Sequence, residues 1–190
     1  MIAWLIDKFF SLFERKQMYP MIDDATVIQR LMLNEGIRNK AYYDTKHKLT
    51  IGIGRNLDDN PLTAEEIAYI GHNCRGKCIT NEQAAYLCRN NIAQVKADLD
   101  RELPWWRDLC VDRQFVMIDL CFNMGIGKNG EKDGLLGFKK TLPLIAQGYY
   151  EQAAKNLLQS KYAKDVGERA KRNAYCLKYG TYLTKLPKEW

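Results

Sequence analysis

Between residues 24 and 54 the spacing of apolar side chains switches from a helical period to a strand period, and the strand period does not return. Val27, Ile28, Leu31 and Met32 fall at spacings of one, three and four, the stripe of an amphipathic helix. Asp24 is placed to cap its start and Gly36 to end it, which predicts about twelve helical residues with Glu35 in the last turn. The segment AYYDTKHKLTIGIG follows. Residues 41–43 read as a strand and 45–48 as a polar turn, and Leu49, Ile51 and Ile53 alternate in a second strand. A chain with one short β-ribbon set among helices has little choice of architecture, because a lone hairpin must cover its apolar face with helices.

Everything downstream reads as helix. Thr63 with Glu66, and Thr80 with Gln83, have the spacing of capping boxes. The second box opens a longer helix carrying Ala84, Leu87, Ile92, Val95 and Leu99 on one face, stopped by Pro104. RQFVMIDLCFNMG reads as a core helix, GIGKNGEKDGLLG as a glycine-rich loop, and residues 139–147, 149–160 and 169–182 as further helices. The expected fold is α+β: a small β-hairpin lobe over residues 36–80 and a larger helical lobe over 81–190, joined by the helix after Thr80, with a cleft between them.

Composition narrows the function. At 190 residues with 46% hydrophobic and 27% charged side chains, the chain is neither disordered nor fibrous, and it buries roughly 70% of its unfolded surface without needing disulfides or metals. Lysine and arginine exceed aspartate and glutamate by 29 to 23, a net charge of +6. That favours an anionic partner such as nucleic acid, acidic lipid or wall polymer. No helix-turn-helix, zinc-finger or RNA-recognition signature is present, so nucleic acid is not expected.

The opening MIAWLIDKFFSLF is too short to span a membrane and carries Asp7 and Lys8 at its centre. It also lacks the basic leader and small-residue cleavage site of an export signal. Ile2, Leu5, Ile6, Phe9 and Phe13 share one helical face. Residues 1–20 are therefore expected to form an amphipathic extension to a main domain over 21–190, either docked on the body or, through residues 1–18, in peripheral contact with a membrane. Of six cysteines, Cys88, Cys110, Cys121 and Cys176 fall within apolar helical patterns. Cys74 and Cys78, with His72 nearby, have a spacing that zinc tolerates, but no second close ligand pair accompanies them, and ordinary loop cysteines are the expected reading.

The chemistry concentrates in LNEGIRNKAYYDTKHKLTIGIGRNL. Glu35 ends a helix, Asp44 follows nine residues later, and Thr50 six beyond that. A hairpin folded back across the helix terminus brings the three together. Two carboxylates in unlike settings are the minimum kit for glycosidic hydrolysis: one gives a proton to the leaving oxygen, the other stays ionised. The helix C-terminus disfavours charge on Glu35, while a polar turn with nearby lysines keeps Asp44 charged.

The run E-G-x-R-x-x-A-Y-x-D followed by T-I-G-I-G resembles the active-site stretch of the phage-type lysozymes, the muramidases of glycoside hydrolase family twenty-four. FNMGIGKNG with GLLGFKKTL resembles the family's core helix and following loop, and ERAKRNAYCLKYGTY its closing helix, so the resemblance covers residues 21–184 in order. It implies hydrolysis of the β-1,4 bond between N-acetylmuramic acid and N-acetylglucosamine in peptidoglycan, with no cofactor; a monomer without a metal site is expected beside it. Glu35 matches the general acid, and Asp44 with Thr50 the pair that activates water on the far face of the sugar, giving inversion. Inverting carboxyl pairs typically stand about 6.5–9.5 Å apart. Asn56, Phe122, Thr141 and Asn156 match residues lining the saccharide groove, although Phe122 equally fits core packing. Arg169 matches an arginine that reaches the catalytic glutamate; as a cation it opposes the helix-end effect, so its implied role is orientation. One position departs from the pattern, with Arg55 standing where many relatives carry histidine.

Three uses of such a chain are distinguishable: a phage endolysin lysing its host, a tail-associated or secreted antibacterial muramidase, and a catalytically silent wall-binding module. The lack of fused domains favours the first, and the intact Glu35, Asp44 and Thr50 disfavour the last. An endolysin without an export signal is expected in the host cytoplasm, reaching the periplasm and wall through a holin pore.

Overall fold

The computed structural model describes residues 19–44, 47–128, 130–131 and 133–190; the amphipathic reading of residues 1–18 lies outside them. The fold is α+β. Helix α1 (Asp24–Glu35) leads into a three-stranded antiparallel sheet, β1 (Arg38–Tyr43), β2 (Leu49–Gly52) and β3 (Arg55–Asn56), in that spatial order. Helices α2 (Ala64–Ile70), α3 (Asn81–Glu102), α4 (Val111–Met124), α5 (Thr141–Ala146), α6 (Tyr150–Leu158), α7 (Lys161–Val166) and α8 (Glu168–Tyr179) follow. One-turn 3₁₀ segments at Pro104–Asp108 and Leu135–Gly137 flank α4.

Local chemistry accounts for the boundaries. The Asp23 carboxylate, not Asp24, caps α1, accepting from the Thr26 N–H at 2.8 Å. Both aspartates are competent caps, and the one whose backbone remains extended takes the role. Both capping boxes close reciprocally, Thr63 with Glu66 and Thr80 with Gln83. β1 begins earlier than expected, at Arg38, while β2 ends at Gly52, so Ile53 falls in a turn that leads to a third, two-residue strand. Cys110 is not inside a helix but at the N-cap position of α4. The last helices divide at Ser160, whose hydroxyl accepts from the Ala163 N–H at 3.1 Å and starts α7.

Among the described residues, two apolar clusters form. The smaller gathers Ile51, Leu57, Ile70, Cys74, Ile79, Ala84 and Leu87; the larger includes Val27, Leu31, Ile53, Ile92, Leu99, Trp106, Phe115 and Leu177. Helix α3, about 33 Å long at 22 residues, supplies Ala84 and Leu87 to the first and Ile92, Val95 and Leu99 to the second. The β2–β3 turn works similarly. Ile51 lies in the small cluster and Ile53 in the large one, so the turn tip is plugged into the helical core, at roughly 2 kcal/mol for a buried isoleucine.

Arg55 holds the outer side of the sheet. Its Nε donates to the Asn60 carbonyl at 2.9 Å, Nη2 to the Pro61 carbonyl at 3.0 Å and to Glu66 Oε2 at 2.7 Å, and Nη1 to Asn91 Oδ1. Glu66 also accepts from the Thr63 N–H and from Asn90. Both charged side chains are almost wholly buried, at 4% and 2% exposure. The departure at position 55 thus has a structural use: one guanidinium ties β3 to the next loop, to α2 and to α3. Arg55→Met strands the Glu66 charge in the interior and is expected to cost about 3–5 kcal/mol, read from denaturant midpoints; a loss below about 1 kcal/mol, the range of exposed pairs, contradicts this account.

Candidate active site

Glu35 is the last residue of α1, and two elements fix its side chain. Arg169, in the first turn of α8, donates from Nη1 to Glu35 Oε1 at 2.5 Å. On the sheet side, a β-carbon built at Gly54 would lie 3.2 Å from the Glu35 Cδ and 3.3 Å from its Oε2. The turn needs glycine twice over: φ is +70° there, and the acid occupies the space a side chain would fill.

The sheet presents the partners on one face. Tyr42 pairs directly with Thr50, and Thr50 with Asn56, so the three side chains share a face; Asp44 stands just past the end of β1, close enough for its charge to act on Tyr42. The other face carries Ile51 and Arg55 into the interior. That the first face looks toward Glu35 is visible at Tyr42. Its phenol is pushed above its ordinary range, first by burial, then by the charge of Glu35, with Arg38 opposing and Asp44 adding to the rise. Tyr42 therefore stands in the field of both carboxylates.

Asp44 opens the hairpin turn. Its N–H donates to the Lys48 carbonyl at 3.0 Å and its Oδ1 accepts the Lys48 N–H at 2.8 Å. The Lys48 ammonium pairs not with Asp44 but with Asp59, at 2.8 Å. Thr50 is buried, and its hydroxyl donates to the Lys48 carbonyl at 3.1 Å, which turns the hydroxyl's lone pairs to other donors.

The remaining expected residues differ in what they touch. The Asn56 side chain shapes its own turn, with Oδ1 accepting from the Asp58 and Asp59 N–H groups and Nδ2 donating to Asp59. Phe122 is partly buried against the larger cluster. The Thr141 hydroxyl donates to Asn156 Oδ1 at 2.8 Å, forming a second polar pair on α5 and α6. Around the small-lobe cysteines, Cys74 is buried, Cys78 is exposed, and the Cys74 N–H donates to His72 Nδ1 at 3.0 Å.

Sequence reasoning missed the set behind Arg169. Asp119, fully buried on α4, accepts from Arg169 Nε at 3.0 Å and Nη2 at 2.8 Å, from Asn34 at 2.9 Å and from Asn173 at 2.7 Å. Burial works against the Arg169 charge, but Asp119 and then Glu35 outweigh it and hold the guanidinium protonated well above the usual range. The signal was present in RQFVMIDLCFNMG: a lone acid in an apolar run requires a buried partner.

An acid held at a helix end, facing a strand surface that carries a second carboxylate and a hydroxyl, is the arrangement of a glycoside-hydrolase site. A family model for phage lysozyme matches residues 33–174, and the chain belongs to that family. It is also 28% identical over 162 residues to the pre-baseplate central spike protein Gp5 of Enterobacteria phage T4. That match covers 78% of this chain and 27% of the spike protein, so the chain spans about a quarter of the length of this curated relative.

Gly54→Ala is expected to lower stability by about 1–2 kcal/mol through its left-handed backbone and to displace Glu35. Catalysis should fall more than stability does, by about 100-fold if the carboxyl moves by an ångström. Hydrolysis rates measured where the variant is fully folded test this, and an unchanged rate contradicts the placement of Glu35 on the turn.

Proposed function

We propose that the chain is an active muramidase, hydrolysing the β-1,4 bond between N-acetylmuramic acid and N-acetylglucosamine in bacterial peptidoglycan with inversion, and that it serves as an endolysin. The observation that carries this is the position of Glu35, bonded to Arg169 and resting on Gly54, with Thr50 opposite Tyr42 on the sheet and both Glu35 and Asp44 acting on that tyrosine. Glu35, in its acid form, gives its proton to the glycosidic oxygen as the bond to the anomeric carbon breaks. Asp44 and Thr50 each accept a hydrogen bond from one water, whose lone pair then turns to the anomeric carbon; Asp44 takes the proton released as the new C–O bond forms. Phe122 and the Thr141–Asn156 pair supply an apolar surface and polar groups suited to a sugar. The surplus of +6 draws the protein to an anionic wall. In this reading it accumulates in the host cytoplasm and reaches the wall when a holin opens the membrane.

The test is clearing of purified peptidoglycan. Glu35→Gln should keep the wild-type circular dichroism spectrum and lose activity by at least about 100-fold, the lower bound for a proton donor. A variant near the wild-type rate, or an inert wild type, overturns the reading.

A second deployment is favoured by one observation, the match to a central spike protein. The same chemistry carried on a phage tail would open the wall at entry. Antibody detection separates the two. An endolysin is found in the lysate and is absent from purified virions; stoichiometric protein in virions assigns it to the tail.

A further inference from the structure

Glu35 poses a chemical problem. A general acid must carry its proton when substrate binds, yet the group that orients it is a cation, which favours the carboxylate. Arg169 is not, however, an isolated cation. Two of its nitrogens, Nε and Nη2, are taken by both oxygens of Asp119 as a fork, leaving Nη1 for Glu35. Asp119 is wholly inside the protein, and the four bonds it accepts come from Arg169, Asn34 and Asn173. Four N–H donors are the set an ionised carboxylate takes.

We propose that Asp119 is a positioning residue for the hydrolysis: by taking one edge of the Arg169 guanidinium it compensates that charge, so that the remaining nitrogen orients Glu35 without fixing it as the carboxylate. The inference rests on the reading of Glu35 as proton donor and adds a requirement to it.

The charges around Glu35 are consistent with that division. Arg169 approaches from α8, with Asp119 of α4 behind it. Arg172, also on α8, donates to Asn34 at 2.6 Å and so stands one side chain removed. From the sheet comes Tyr42, which feels Glu35 and also Arg38 and Asp44. Cys88 of α3, with Arg89 beside it, and Tyr162 of α7 also feel the Glu35 charge. Burial first, then Glu35, pushes the Cys88 thiol up to about 12. Burial first, then Asp119, pushes the Tyr162 phenol well above its usual range. Both are therefore neutral across the working range, and the compensation of Arg169 falls to Asp119.

The measurement is the pH profile of kcat/KM on soluble wall oligosaccharides, whose alkaline limb reports loss of the catalytic proton. Asp119→Asn leaves the Arg169 charge to Glu35 alone, and the limb should move to lower pH by about one unit. Arg169→Gln leaves Asp119 with its Asn34 and Asn173 bonds but no cation, and the limb should move to higher pH. The double variant, with neither charge, should return toward the wild-type profile. A purely structural role lowers the rate at every pH without moving the limb, and that result overturns the proposal. If Asp119→Asn does not fold, Arg169→Gln decides alone, and an unmoved limb again overturns it. If Glu35→Gln is inactive while both limbs stay fixed, only the Asp119 assignment fails; if Glu35→Gln is active, the catalytic reading itself fails.

Discussion

The Arg169 guanidinium joins the parts of this molecule that would otherwise disfavour each other. Arg169 sits in the first turn of α8, where the helix dipole is unfavourable to a cation, and Glu35 ends α1, where it is unfavourable to an anion. The contact between them joins the start of one helix to the end of the other. Asp119 completes the set from α4. Three helices that share no loop are thereby fixed against one another around the Glu35 carboxyl.

The sheet reaches that point by a different physical route. Its turn is anchored by apolar burial, Ile53 entering the helical core while Ile51 remains in the smaller one, and this sets Gly54 against the acid. The Arg55–Glu66 pair then stiffens the opposite face of the sheet. The two faces divide the labour: one carries Tyr42, Thr50 and Asn56, with Asp44 at the turn beyond them, and the other holds the sheet to α2 and α3. A buried ion pair is a costly tie compared with an apolar one, but its five-donor geometry lets one residue join three segments.

Local signals made much of this legible in the sequence. The end of α1 at Glu35, both capping boxes and the alternation through Ile51 depend on residues close in the chain. The lost detail was of two kinds. Where two neighbours were equally able to act, as Asp23 and Asp24 at the cap, only the backbone decides. Where a partner is distant in sequence, as Asp119 is from Arg169 and Glu66 from Arg55, spacing carries no information, and only the cost of burying a charge hints that a partner exists. β3 escaped notice because two residues cannot display a period. Asn56 entered through the resemblance as a groove residue; the turn contacts its amide makes to residues 58 and 59 are a further, local use that the resemblance did not indicate.

In the proposed hydrolysis, a proton donor and a water-holding pair act from opposite sides of one glycosidic bond. The most direct measurement is proton NMR of the reducing end in the first moments after cleavage of a wall oligosaccharide, before mutarotation mixes the anomers. Attack from the far side releases the α-anomer first. Initial release of the β-anomer would mean that configuration is retained, and the roles given to Asp44 and Thr50 would be contradicted.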